Sequence, residues 1–158
     1  MIVICDTSPI LYLLLINQLD LLPRLYSTLI IPDVVQAEMQ ATGAPVVLQE
    51  WIAKPPQWLE IRPVPPGNYP LLQRLQAGEQ AAIFLAQSLQ ADLLIVDDLA
   101  ARQIAQQLGI KITGLLGILG EAARRKWIDF PETLKQLLQA TNFRVSPQLV
   151  EDLLKEFS

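Results

Sequence analysis

The residues of this chain that could do chemistry are mainly acids. They are Asp6, Glu38, Glu79, Asp97 and Asp98. Three or four carboxylates that meet at one place repel one another, and protons or a cation must relieve that repulsion. Ligand sets made only of oxygen favour Mg²⁺ or Mn²⁺. Such an ion can lower the pKa of a bound water and stabilise the attacking and leaving oxygens of a phosphodiester.

Two residue types that often carry catalysis are missing or scarce. The chain has no histidine, which excludes Ser-His-Asp and Cys-His triads, imidazole zinc sites and histidine acid–base chemistry. Cys5 is the only cysteine, so an internal disulfide and a thiolate metal cage are excluded. Thr7 and Ser8 offer hydroxyls that could orient Asp6 or a metal-bound water.

The charge of the chain restricts how it could bind nucleic acid. The net charge is -4, and phosphate contacts need Lys and Arg, so such binding requires a local basic strip or bound cations. The residues considered for contact with nucleic acid are Arg102, Lys111, Arg124, Arg125 and Lys126. For the last three, a solvated helix end is the alternative, because a helix dipole favours cations there.

The elements that must position the acids follow from hydrophobic patterning. Four apolar runs, at residues 2–5, 29–31, 93–96 and 111–113, are continuous rather than alternating, as expected of parallel strands covered on both faces. Helical patterns lie between or after them, at residues 8–16, 33–41, 79–90, 99–108 and 115–126. This alternation predicts a doubly wound parallel α/β sheet of four to five strands with right-handed crossovers.

The remaining segments complete the expected organisation. Residues 54–70 are rich in proline and predict a loop with at most one short edge strand, near residues 59–61. Residues 131–140 and 147–157 predict two amphipathic helices that pack on the core or on a partner. We expect one domain over residues 1–158, with a core at 2–126. The longest apolar run, residues 9–16, is too short to cross a membrane, so we expect a cytoplasmic protein.

The predicted sheet brings two of the acids to one edge. Ligands of open parallel sheets bind beyond the carboxyl ends of the strands. Asp6 directly follows the first strand and Asp97 directly follows the third, so they meet if those strands are neighbours.

Each acid also has a purely structural interpretation. Asp6 could cap the first helix, and Asp97 or Asp98 could cap the helix that begins at residue 99. Glu38 could be an exposed helix acid, and Glu79 could complement a helix dipole.

The sequence resembles the PIN-domain family, in particular the bacterial and archaeal subgroup related to VapC-type toxins with a D-T-S-P start. The matching residues are 3–9, 19–22, 31–32, Val35, Glu38, 78–79, 96–98, Ala101, Arg102, 109–114, Leu116 and Gly117. The resemblance covers residues 2–126, with weaker similarity at 143–146. It implies a Rossmann-like PIN fold and Mg²⁺- or Mn²⁺-dependent cleavage of RNA.

The resemblance also implies roles for individual residues. The family's acids match Asp6, Glu38, Glu79 and Asp97, and Asp98 takes the last place if the strand ends one residue later. Many relatives are toxins that form dimers and are silenced by an antitoxin. One departure is Ala81, where many relatives carry another acid, and it puts a second metal site in doubt.

Two other functions stay open at this point. The first is a catalytically silent module that uses the same fold to bind a partner, which Ala81 favours. The second is a phosphoryl-transfer or receiver-type domain. It fits less well, because Ser8 stands where a phosphoaspartate hydrolase needs an acid and the Asp97–Asp98 pair comes too late for a receiver.

Overall fold

A five-stranded parallel sheet forms the centre of the computed structural model, which describes residues 1–65, 69 and 72–157. Its strands are β1 (Val3–Cys5), β2 (Leu29–Pro32), β3 (Leu59–Arg62), β4 (Leu93–Ile95) and β5 (Ile112–Thr113). They lie in the order β3-β2-β1-β4-β5, and every pairing is parallel. The predicted α/β class and the predicted strands are confirmed, including the edge strand.

Helices flank this sheet. Those in the described residues are α1 (Thr7–Leu15), α2 (Leu21–Tyr26), α3 (Asp33–Gln40), α4 (Val46–Ala53), α5 (Ala77–Ser88), α6 (Leu99–Gln107), α7 (Leu115–Arg124), α8 (Phe130–Ala140) and α9 (Pro147–Glu156). The sequence did not predict α2 and α4. Both are short, α2 contains Pro23, and α4 opens with the β-branched pair Val46 and Val47, so their helical signals are weak.

The central strands are buried on both faces, which explains their unbroken hydrophobicity. In β1, Val3 and Cys5 join the core beneath α1, α7 and α8, whereas Ile4 joins the core beneath α5 and α6. Ile4 pairs in register with Ile30 of β2 and Leu94 of β4. Any polar group next to β1 is therefore placed at a strand end.

The C-terminal tail packs on the core of its own chain. Helix α8 buries Phe130, Leu134 and Leu137. No residue of α9 is fully buried, but Leu153 and the Phe157 that follows it pack against the core. The Phe157 ring stacks on Phe130 with 4.4 Å between centroids.

Two features outside the helices are the glycine that follows α6 and the proline-rich segment. Gly109 has a φ of +77° just beyond α6, the left-handed conformation expected of a helix stop. In the proline-rich segment, Pro66 and Pro70 lie outside the described residues. None of the helices in the described part of the chain is long and apolar enough to span a membrane.

Strands β1 and β4 are neighbours, as the convergence of the acids requires. Cys5 pairs with Ile95, and the Asp6 amide donates to the Ile95 carbonyl at 3.1 Å. The residues that follow both strands therefore stand side by side at the carboxyl edge.

Candidate active site

Asp6 is the buried acid at this edge, directly after β1. It is 6% exposed. Burial raises the pKa of its carboxyl from 3.8 to about 7; the Thr7 backbone amide opposes the rise, and the carboxylates of Glu79, Glu38 and Asp97 add to it. Such an environment disfavours the charged form of the carboxyl, and a positive charge nearby would favour the carboxylate again.

Asp97 lies near Asp6, and only one of its two carboxylate oxygens has a hydrogen-bond partner among the described residues. Oδ1 accepts a hydrogen bond from the Leu115 amide at 2.8 Å. Oδ2 is buried and has no hydrogen-bond partner among the described residues. Burial raises the pKa of this carboxyl, while the Leu115 amide and the Arg102 guanidinium lower it. An orphaned, buried carboxylate oxygen is the kind of atom that a cation can satisfy.

Gly114 makes the close packing around Asp97 possible. A Cβ at this position would lie 2.5 Å from Asp97 Oδ1 and 2.6 Å from an Arg102 guanidinium nitrogen. The same guanidinium donates to the Val96 carbonyl at 2.9 Å. Arg102, which the sequence suggested as an RNA contact, is therefore also tied to the strand end that carries Asp97.

Glu38 is held by two donors from different elements. Its Oε2 accepts from the Thr7 hydroxyl at 3.0 Å, and its Oε1 accepts from the Gly78 amide at 2.8 Å. A Cβ on residue 78 would collide with this carboxylate. The Thr7 hydroxyl therefore donates to Glu38 and not to Asp6. The alternative that Thr7 or Ser8 orients a metal-bound water stays a prediction.

Glu79 takes part in the cap of a helix and also lines the site. Helix α5 begins at Ala77, two residues before the predicted start, because Gln76 and Glu79 form a capping box at its end. The Gln76 amide donates to Glu79 Oε1 at 3.1 Å. Burial raises the pKa of Glu79; the Gln76 amide opposes this, and Asp98 and Glu38 add to it.

Asp98 caps a helix, one of the alternatives raised from the sequence. It is the N-cap of α6, and its Oδ2 accepts from the Ala101 amide at 3.0 Å. Strand β4 ends at Ile95, so Asp97 rather than Asp98 is the acid nearer the strand end.

A cleft of about 1120 Å³ opens over this edge. The lining residues among those described are Ser8, Tyr12, Gln76, Glu79, Asp97, Asp98, Leu99, Arg102, Ile112, Thr113, Gly114, Leu116, Gly117, Asn142, Phe143, Arg144, Val145, Ser146 and Leu149. Glu79, Asp97 and Asp98 reach the cleft directly, whereas Asp6 and Glu38 are not among its lining residues.

The other suggested RNA contacts do not line this cleft. Lys111 precedes β5, at the amino end of the strand and away from the acidic edge. Arg124 pairs with Glu156 at 3.0 Å, and Arg125 pairs with Glu121 at 3.0 Å.

Lys126 also lies outside the lining set. It follows the last turn of α7 in a left-handed conformation, with a φ of +62°.

Sequence reasoning missed the tail side of the cleft. Tyr12 of α1 and the segment 142–146 line it together, although they are far apart in the chain. The weak similarity at residues 143–146 was the one sequence signal that marked this segment. The Ser146-Pro147 start of α9 added a helix boundary but no indication of where that helix packs.

The donor set fits a hard divalent cation, although the acids do not form a finished cage. Among the residues that the structure describes, no three acidic or thiol side chains form a group ready to hold a metal ion. Glu38 and Glu79 turn oxygens toward the backbone amides of Gly78 and Gln76, which accounts for this. The orphaned oxygen of Asp97 and the all-oxygen chemistry of the edge nevertheless suit Mg²⁺ or Mn²⁺.

Fold and site together define a class of protein: a parallel α/β domain that gathers acids at the carboxyl edge of its central strands. A family model described as a PIN domain matches residues 2–158, and the chain belongs to the PIN-domain family. Proteins of this family are in general nucleases that use divalent metal ions.

Similarity to solved structures and to curated proteins is weak or absent. Among solved structures, the chain is similar to a PilT N-terminus domain protein from the hyperthermophilic archaeon Sulfolobus solfataricus P2, with 18% identity and a TM-score of 0.48. That match covers 92% of this chain and 100% of the other. The comparison with curated proteins finds no similar sequence. The family assignment rests on the family model.

Proposed function

We propose that this protein is a Mg²⁺- or Mn²⁺-dependent endoribonuclease whose site consists of Asp6, Glu38, Glu79 and Asp97. The observation that carries the proposal is the buried Asp97 Oδ2, which has no hydrogen-bond partner in the described residues. It stands beside a second buried acid, Asp6, whose pKa is raised to about 7. Two such acids destabilise the metal-free site and favour a cation.

Three of these acids would bind the metal ion. Asp6, Glu79 and Asp97 would hold the cation, which when bound activates water and neutralises charge on the phosphodiester. The Leu115 amide fixes one oxygen of Asp97 and leaves the other free.

Glu38 would keep its place through hydrogen bonds. The Thr7 hydroxyl and the Gly78 amide hold its carboxylate close enough to Asp6 to raise the pKa of that residue. Glu38 thereby strengthens the negative potential at the floor of the site, and that potential favours a cation.

The test is cleavage of single-stranded RNA with added Mn²⁺. Asp97→Asn should lower the rate about a hundredfold or more, because it removes a metal-facing charge while the amide oxygen can still accept from Leu115. Asp129→Asn is the matched control: Asp129 caps α8 by accepting from the Glu132 amide, outside the cleft, and Asn caps equally well. Turnover retained in Asp97→Asn would refute the assignment.

We further propose that the enzyme is the toxin of a toxin–antitoxin pair, acts in the cytoplasm and works as a homodimer. The support is the resemblance of its D-T-S-P start to VapC-type toxins. Copurification of a small protein encoded by the neighbouring reading frame, with loss of RNA cleavage in the complex, is the expected result. A monomer in light scattering, fully active with the neighbouring product present, would contradict this part.

A catalytically silent binding module is the second candidate. Specific contacts favour it: Glu38 and Glu79 both accept hydrogen bonds from backbone amides, as structural acids do. Ala81 stands where many relatives have an acid, and it is 3% exposed in the core. This candidate predicts no RNA cleavage by the wild type even when Mn²⁺ binds.

A further inference from the structure

The segment between α8 and α9 forms one wall of the acidic cleft. We call residues 142–146 the tail wall; all of them line the cleft. The Tyr12 hydroxyl donates to Asn142 Oδ1 at 2.9 Å, and the rings of Tyr12 and Phe143 meet edge to face with 5.2 Å between centroids. Tyr12 lines the same cleft as Asp97, and burial together with the Asp97 carboxylate raises the pKa of Tyr12.

Both ends of the tail wall are fixed. At its start, the Phe143 amide donates to the Thr141 hydroxyl at 3.1 Å. At its end, Ser146 caps α9 by accepting from the Leu149 amide at 3.1 Å. Helix α9 is in turn held through Phe157 on Phe130 and through the ion pair of Arg124 and Glu156. The tail wall is therefore held in place against the cleft by hydrogen bonds and packing at both of its ends.

Arg144 is the charged residue that this wall presents. It is exposed and lines the same cleft as Glu79 and Asp97. It makes no hydrogen bond or ion pair within the described residues, whereas Arg102, the other lining arginine, donates to the Val96 carbonyl. An arginine without a partner in a cleft that three acids also line costs the fold nothing and is available to a ligand.

The chemistry of a guanidinium fits phosphate. Its planar fork makes two parallel hydrogen bonds to phosphate oxygens, and it keeps its charge at any physiological pH. In a chain with a net charge of -4, a cation in the cleft that the acids line also offsets the repulsion of an incoming polyanion.

We propose that Arg144 binds a backbone phosphate of single-stranded RNA next to the phosphate that is cleaved, so that the tail wall is a substrate subsite. This inference rests on the proposed function and deepens it. The scissile phosphate lies over the acids, and the flanking phosphate lies against Arg144. Of the cations suggested from sequence, Arg124 and Arg125 are already paired with acids and lie outside the cleft.

The experiment measures binding and cleavage separately. A short mixed-sequence single-stranded RNA is titrated by fluorescence anisotropy with Ca²⁺ in place of Mn²⁺, and its cleavage is then followed in Mn²⁺. Arg144→Gln should weaken binding about tenfold and lower the salt slope of log K by about 0.7, the value for one phosphate on a single strand. Arg144→Lys should recover part of the affinity through charge alone.

Arg125→Gln is the matched comparison, because it removes the same charge from an exposed position outside the cleft. It should change binding less than twofold or so. The melting temperature of Arg144→Gln and its shift on Mn²⁺ addition should equal those of the wild type, since Arg144 has no structural partner.

The outcomes separate this inference from the proposed function. If the wild type cleaves RNA and Arg144→Gln binds and cleaves like Arg125→Gln, the subsite is refuted and the nuclease stands. If Arg144→Gln alone weakens binding but no variant cleaves, the nuclease is refuted and the phosphate site stands. A wild type that neither binds nor cleaves refutes both.

Discussion

The acids at the carboxyl edge of the sheet fall into two groups that differ in what their oxygens bind. Both oxygens of Glu38 accept hydrogen bonds, and Asp98 Oδ2 caps α6. Asp97 Oδ2, by contrast, is buried without a partner, and Asp6 is 6% exposed with a pKa raised to about 7. The first group joins elements of the fold together, whereas the second lies just beyond the carboxyl ends of the neighbouring strands β1 and β4. There its burial destabilises the metal-free protein.

This difference separates architecture from function within one acidic cluster. A carboxylate that accepts from backbone amides stabilises the native state. A buried carboxyl whose pKa is raised, or one that keeps an oxygen without a partner, does the opposite, and such groups concentrate at functional sites. Asp6 and Asp97 are therefore the residues on which the proposed function depends most, and the predictions below test that ranking.

The largest expected effect is a pH dependence of stability in the metal-free protein. Because the folded-state pKa of Asp6 is raised from 3.8 to about 7, the folded chain keeps a proton that the unfolded chain has released. The stability from this group therefore falls as pH rises across that window and levels off above it, by on the order of a few kcal/mol. Thermal melts in EDTA should show a lower Tm at pH 8 than at pH 5.

Asp6→Asn should flatten this pH profile and raise the Tm at pH 8, because the amide does not ionise. Asp129→Asn, which changes a helix cap outside the cleft lining, should keep the wild-type profile. An Asp6→Asn profile with the wild-type slope would show that Asp6 titrates normally, and the ranking above would be wrong.

A smaller effect is expected at Gly78, which belongs to the structural group. A Cβ there would collide with the Glu38 carboxylate, so Gly78→Ala should destabilise the fold by about 1–3 kcal/mol. Gly43→Ala is the control, since nothing lies within 4 Å of a Cβ at that position. If urea unfolding gives the two variants equal stability, the Glu38 carboxylate does not pack closely enough against residue 78 to exclude a Cβ.

The smallest effect is expected at Asp98. Asp98→Ala removes the hydrogen bond from the Ala101 amide and should cost about 1 kcal/mol, whereas Asp98→Asn keeps the cap. Chemical denaturation would measure both. A larger loss of Mn²⁺ affinity in Asp98→Asn than in Asp97→Asn would reverse the roles of the two neighbours.

The sequence was sufficient where local pattern and topology agree. Unbroken apolar runs predicted β1 and β4, and the rule that ligands bind at the carboxyl edge predicted that Asp6 and Asp97 would meet if those strands paired. That pairing itself, Cys5 with Ile95, was a condition that the sequence left open. The helices α2 and α4 escaped prediction because tertiary packing, rather than their own sequence, stabilises them.

The contacts that finish the site could not be derived from sequence. Glu38 and Gly78 are 40 positions apart, and Tyr12 and Asn142 are 130 positions apart. Amphipathic patterning predicted α9 but not the surface on which it packs, so Arg144 had no visible connection to the acids. Such long-range placements depend on how the helices dock, which a single sequence does not encode in any local pattern.

Titration calorimetry with Mn²⁺ at pH 8 tests the central claim most directly. We predict that the wild type binds Mn²⁺, that Asp129→Asn binds it equally well, and that Asp97→Asn loses about a hundredfold or more in affinity while its circular dichroism stays unchanged. Equal Mn²⁺ affinity in Asp97→Asn and the wild type, or no binding by the wild type, would contradict the claim that the orphaned Asp97 oxygen exists to hold a cation.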